Sequence, residues 1–158
     1  MVLVQVTAFY TRRMVDPKSA DFLQQWFDEN EIPNTIPVDQ LHCSVITAME
    51  EIPSYRPDPV PVLIRPKEYR LTFLKEALVI AFDSPMLKRA WDRAVQMGVG
   101  LKYPKYVGHV SVSYSVPLEF ELSEVKPPTF PIRLLAEESA PVTPLWFSAS
   151  PTSEPVAA

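Results

Sequence analysis

The chain has 158 residues, 47% of them hydrophobic, with a formal net charge of -4, 18 prolines, 3 glycines, 2 histidines and 1 cysteine. Such a chain buries roughly two thirds of its unfolded surface, so one core can form with neither a disulfide nor a metal staple. The glycine count excludes the glycine-rich phosphate loops, the lone cysteine excludes a disulfide framework and a multi-cysteine zinc site, and the acidic balance weighs against sequence-blind binding of long nucleic acid.

Val2 to Tyr10 alternates and predicts a strand. Asp16-Pro17 opens a helix, with Asp as N-cap and Pro at the first helical position. Its apolar stripe is Phe22, Leu23, Trp26 and Phe27. Pro33 and Pro37 end it, and Leu41 to Ala48 predicts a second strand. Pro53, Pro57, Pro59 and Pro61 make a stiff extended connection. Val62 to Ile64 and Tyr69 to Leu74 are short strands, and the apolar run Ala77 to Phe82 is a buried one. Ser84-Pro85 opens a second helix with the stripe Leu87, Ala90, Trp91, Ala94 and Val95, closed by Gly98 and Gly100. Val107 to Ser115 and Phe130 to Glu137 complete the strands. Residues 148–158 are small and proline-interrupted, and predict a loose tail behind a single bilobal domain over 1–147. The N-terminus lacks a signal-peptide pattern and no apolar run is long enough to span a bilayer, which predicts a soluble, cytoplasmic protein with no membrane partner.

The order strand, X-Pro helix, loop, strand occurs twice, and Pro17 to Pro85 spans nearly the same interval as His42 to His109. This spacing predicts two related lobes, at about residues 2–48 and 77–116. Each lobe carries one histidine in the same pattern: His42-Cys43-Ser44-Val45 and His109-Val110-Ser111-Val112. One match to H-x-[ST]-apolar would be weak; two, using every histidine in the chain at matching places, are a strong signal. Strand alternation puts His42 with Ser44, and His109 with Ser111, on one face, with Cys43 turned away as a small apolar residue. Near neutrality one imidazole can accept a proton while another donates one. The serine hydroxyls can bind phosphate oxygens between them. This chemistry suits cleavage of a phosphodiester by an internal 2′-hydroxyl and needs neither metal nor cofactor.

Paired H-x-[ST]-apolar motifs on two lobes resemble the 2H phosphoesterase superfamily. Glu31-Ile32-Pro33-Asn34, Pro37-Val38-Asp39-Gln40-Leu41-His42 and Tyr103-Pro104-Lys105-Tyr106 before Gly108-His109-Val110-Ser111 further resemble its phage anti-CBASS branch, over most of residues 2 to 138. The resemblance implies an α+β fold of two pseudo-symmetric lobes, with mainly antiparallel sheets flanking a central cleft. It implies cleavage of cyclic oligonucleotide second messengers, which bacteria make to trigger abortive infection. It implies His42 and His109 as acid and base and Ser44 and Ser111 as phosphate ligands. Serine replaces the family's usual threonine, keeping the hydroxyl but losing the β-branch that restricts its rotamer. Tyr10 and Phe73 correspond to base-stacking aromatics, and Glu137 or Glu138 to an acidic ligand-binding residue. Lys102, Lys105 and Tyr106 precede the second motif, where a lysine could attract phosphate. Two other readings remain open: an enzyme of RNA 2′,3′-cyclic ends or 2′–5′ linkages, and a non-catalytic nucleotide sponge. The latter would have no need of the histidine pair.

Overall fold

The computed structural model describes residues 9–98, 100, 101, 103 and 105–140. Among these residues seven strands form two antiparallel sheets. Strands β1 (Phe9–Val15), β2 (His42–Ala48), β3 (Val62–Ile64) and β7 (Ile132–Ser139) make one sheet in the order β2-β1-β7-β3. Strands β4 (Tyr69–Leu74), β5 (Ala77–Phe82) and β6 (Gly108–Ser113) make the other, in sequence order. The expected strands from β2 to β6 are present with small changes at their ends. The first differs more: its expected start lies outside the described residues, and it runs on through Thr11, Arg12 and Arg13 to Val15. The predicted tail also lies outside them.

Helix α1 (Pro17–Glu29) starts as expected, with the Asp16 carboxylate accepting from Lys18 N at 3.1 Å. Leu23, Trp26 and Phe27 are buried and Trp26 Nε1 donates to Lys126 O at 2.7 Å, but Phe22 lies outside the core and packs on Phe130. Helix α2 (Pro85–Gln96) is capped by Ser84 and buries Leu87, Ala90 and Ala94. Val95, predicted to be buried, is exposed. Gly98 follows with φ +76°, a left-handed position suited to glycine after a helix end. No described helix is long and apolar enough to cross a membrane.

Strands β2 and β6 are edge strands of the two sheets, and they pack together. Each is covered at its C-terminal half by a segment from the other repeat. The connection after α1 crosses over, so that Ile36 N donates to Val112 O at 2.8 Å and Thr35 bridges Ser113. The connection after α2 crosses back, so that Met49 N donates to Gly100 O at 2.8 Å and Ala48 bridges Leu101. Asn34, at φ 53°, adds a bond from its side-chain amide to Ser115 O at 2.9 Å. Asparagine tolerates that left-handed backbone better than most residues. This exchange satisfies edge groups that would otherwise be open for pairing, and it ties the two motif-bearing strands to each other.

Candidate active site

Cross-strand partners share a face of a sheet, so the pairing register assigns every site residue to a side. In the first sheet His42 pairs Met14, and Ser44 pairs Arg12, which in turn pairs Glu138. The next row, Cys43 with Arg13 and Glu137, lies on the opposite face. In the second sheet His109 pairs Ala81 and Ser111 pairs Val79. Ala77, Val79 and Ala81 form a small apolar cluster of their own, apart from the main core that holds Leu78, Ile80, Phe82, Val110 and Val112. The motif face of the second sheet therefore carries small apolar neighbours and that of the first carries Met14 and Arg12, while the faces behind them supply the core.

Both motifs contain the same irregularity. Arg12 opposes Ser44 but Thr11 opposes Ile46, so Val45 is an extra residue on β2. Val79 opposes Ser111 but Leu78 opposes Ser113, so Val112 is an extra residue on β6. The fourth position of H-x-S-apolar is a β-bulge in each repeat. A bulge bends its strand and re-aims the side chain beside it, here the serine. Burial of Val45 and Val112 explains why the position is apolar.

The histidines are held alike. His42 Nδ1 lies 2.8 Å from Gln40 O, and His109 Nδ1 lies 2.7 Å from Val107 O. A carbonyl only accepts, so each Nδ1 carries a hydrogen and each Nε2 is the nitrogen left to gain or lose a proton. His109 and Ser111 are buried, at 5% and 3% exposure, whereas His42 is half-buried. Gly108, just before His109, sits in close approach to β5: a Cβ there would meet Phe82 O and the Phe82 ring at 3.1 Å, so Phe82 would have to give way by a few tenths of an ångström.

The serines differ. Ser44 Oγ is 2.8 Å from the hydroxyl of Tyr10, whose ring is buried. Burial pushes the Tyr10 phenol up, so it stays a neutral hydroxyl. Tyr10 thus restrains the rotamer that threonine's branch would otherwise restrict. Ser111 Oγ is buried with no hydrogen-bond partner among the described residues, which leaves its donor for a ligand oxygen. Tyr10→Phe is expected to lower kcat about threefold to tenfold, the worth of one neutral hydrogen bond. Steady-state kinetics check this, and an unchanged kcat would show that the bulge alone orients Ser44.

The remaining sequence-derived residues separate. Tyr106 is brought to the site from behind: its hydroxyl donates to Ser44 O at 3.1 Å and lies 3.7 Å from Cys43 Sγ. Burial pushes both groups up, keeping Cys43 a thiol and Tyr106 a phenol. Lys105 is exposed beside it, and Lys102 lies outside the described residues. Glu138 is on the motif face. Glu137 is not: it is buried on the other face, where Oε2 accepts from Thr11 Oγ1 and Tyr55 OH, each at 2.6 Å, and Oε1 from Asp58 N at 3.0 Å. Phe73 likewise pairs Leu78, which puts it on the face opposite His109. The sequence offers two adjacent glutamates and an aromatic, and only the register separates the faces. Arg12 is the residue that the sequence reading missed: it lies between Ser44 and Glu138. Among the described residues no group of three or more His, Cys, Asp or Glu side chains is placed to hold a metal ion.

The family model for the anti-CBASS protein Acb1 matches residues 7–149. The chain belongs to this family. Among solved structures, Escherichia coli LigT complexed with 3′-AMP matches with a TM-score of 0.56 at 11% identity, over 84% of this chain and 86% of that one. A structure described as a phosphoesterase matches with a TM-score of 0.57 at 9% identity, over 85% and 87%. Escherichia coli LigT in its apo form matches with a TM-score of 0.53 at 11% identity, over 88% and 96%. At such identities the likeness shows the fold, the α+β pair of antiparallel sheets. The Acb1 match adds opposition to CBASS, and it covers both H-x-S motifs.

Proposed function

We propose that this member of the Acb1 family is a phosphodiesterase that opens a 3′–5′ bond of a cyclic di- or trinucleotide without a metal ion, and so removes the messenger of bacterial CBASS immunity in the host cytoplasm. The observation that carries the reading is the matched pair of histidines, each with Nδ1 committed to a backbone carbonyl two residues back. Such anchoring fixes one tautomer and directs all proton traffic to Nε2, as a general acid and a general base both require. That LigT has been seen complexed with 3′-AMP supports a nucleotide as the ligand of this fold.

In the reaction, Nε2 of one neutral histidine takes the proton of the ribose 2′-hydroxyl. O2′ bonds to phosphorus as the P–O5′ bond breaks. The leaving O5′ takes its proton from Nε2 of the other, protonated histidine. The Ser111 and Ser44 hydroxyls face the non-bridging oxygens, where charge builds in the transition state. The product is now linear with a 2′,3′-cyclic phosphate end; water, giving its proton to the histidine that protonated O5′, then bonds to phosphorus as P–O2′ breaks, and O2′ takes back its proton from the first histidine to leave a 3′-phosphate. A substrate without a 2′-hydroxyl cannot start this sequence.

The test is incubation with 3′,3′-cyclic GMP–AMP in excess EDTA, followed by liquid chromatography. Linear product in EDTA is expected, with no cleavage of the 2′-deoxy analogue. Ligand that binds and returns intact after heat denaturation would replace the enzyme reading with a sponge. No binding and no turnover would overturn the cyclic-dinucleotide assignment and turn attention to RNA ends and 2′–5′ linkages.

A further inference from the structure

A substrate with two or three negative charges must be drawn to an acidic chain with a net charge of -4, so cations on the motif face matter. Of the described residues that pair directly with His42, Ser44, His109 or Ser111, namely Met14, Arg12, Ala81 and Val79, one is a cation. Arg12 stands on β1 directly opposite Ser44, at a cross-strand position where Cβ atoms are about 4.5–5.5 Å apart. Its side chain is 35% exposed, and Nε donates to Glu138 Oε1 at 3.2 Å, with Glu138 half exposed. Its neighbour Arg13, by contrast, is buried behind the sheet and bound to carbonyls. Arg12 is thus positioned beside Ser44 and engaged through one edge of its guanidinium, and the remaining N–H groups form a fork suited to phosphate oxygens.

We propose that Arg12 is a phosphate-recognition residue of this site, reaching an oxygen of the bound nucleotide from beside Ser44 while Glu138 holds the guanidinium in place. Partly exposed ion pairs add little to stability, so the pair with Glu138 serves to orient Arg12 rather than to hold the fold. The contact is electrostatic and close to the serine, so it favours anionic ligands of the class already proposed. The inference rests on the phosphodiesterase reading for its kinetic arm, and a binding arm stands without it.

Arg12→Met keeps an unbranched apolar stem and removes the charge. With 3′,3′-cyclic GMP–AMP, it is expected to raise KM about 10- to 100-fold, the worth of a charged hydrogen bond. It should also flatten the decline of kcat/KM with added salt. Arg12→Lys, which keeps the charge but not the fork, should recover part of the loss. Melting temperatures within the range of a surface substitution confirm that the fold is intact. Unchanged KM and salt dependence in Arg12→Met would overturn the proposal while leaving the phosphodiesterase reading in place. If wild type cleaves nothing, calorimetric titration with 3′-AMP decides: binding by wild type that weakens at least tenfold in Arg12→Met supports the proposal, and equal binding or no binding by wild type overturns it.

Discussion

His42→Ala and His109→Ala are each expected to lower kcat for cyclic-dinucleotide cleavage by about 100- to 10,000-fold, the usual contribution of a positioned acid or base. The geometry makes the two losses comparable. Both imidazoles are fixed through Nδ1 by a carbonyl two residues earlier, at 2.8 and 2.7 Å, and both follow the same bulge geometry. The double variant should fall well short of the product of the single losses, because acid and base act in one transition state and residues that act as a unit are not additive. Single-turnover assays with each variant check this. Two losses of less than tenfold would mean that the histidines are structural, and would move the chemistry away from Nε2. A large loss from one and none from the other would break the pairing that the repeat implies.

That pairing was legible in the sequence because it is local. H-x-S-apolar, Asp16-Pro17 and Ser84-Pro85 are each decided by near neighbours, and the structure places them as the spacing requires. What failed was non-local. Glu137 and Glu138 are adjacent and chemically alike, and only the register of β7 on β1 sends one behind the sheet and the other beside Arg12. Phe73 is an aromatic at a plausible place in the chain, yet its partner Leu78 puts it on the wrong side for the histidines. Arg12 escaped notice because the alternating pattern ends at Tyr10, which leaves Arg12 beyond the expected strand, whereas β1 runs on to Val15. The bulges could not be read either: Val45 and Val112 fit simple alternation as anchors, and only the count of residues on the facing strand shows them to be extra. The Glu31-Ile32-Pro33-Asn34 stretch, quoted for its resemblance, has a structural use: its positive-φ residues Glu31 and Asn34 turn the chain toward β6.

The two neighbouring arginines make the sharpest contrast in stability. Arg13 is 2% exposed, and its guanidinium donates to Val60 O at 2.7 Å and Leu135 O at 2.9 Å, with Asp58 Oδ2 at 3.6 Å. Glu137, its cross-strand partner, lies buried on the same face with three donors of its own, so Arg13 is a buried cation held by two carbonyls and the partly exposed Asp58 carboxylate. Removing one partner from such a set strands the others, which costs about 3–5 kcal/mol. In a chain of this length each kcal/mol moves Tm by about 2–4 °C. Arg13→Met is therefore expected to lower Tm by about 6–20 °C. Arg12→Met breaks a partly exposed pair worth about 0–1 kcal/mol, and should move Tm by no more than about 4 °C. Thermal denaturation of the two variants side by side is the check. The kinetic consequences should run the opposite way: well below its Tm, Arg13→Met should keep the wild-type KM, while Arg12→Met alters KM without unfolding. Equal shifts in Tm would mean that the register does not separate the two faces as described. A changed KM in folded Arg13→Met would mean that the buried cluster acts on the site through β2, with Cys43 and Ser44 as its route.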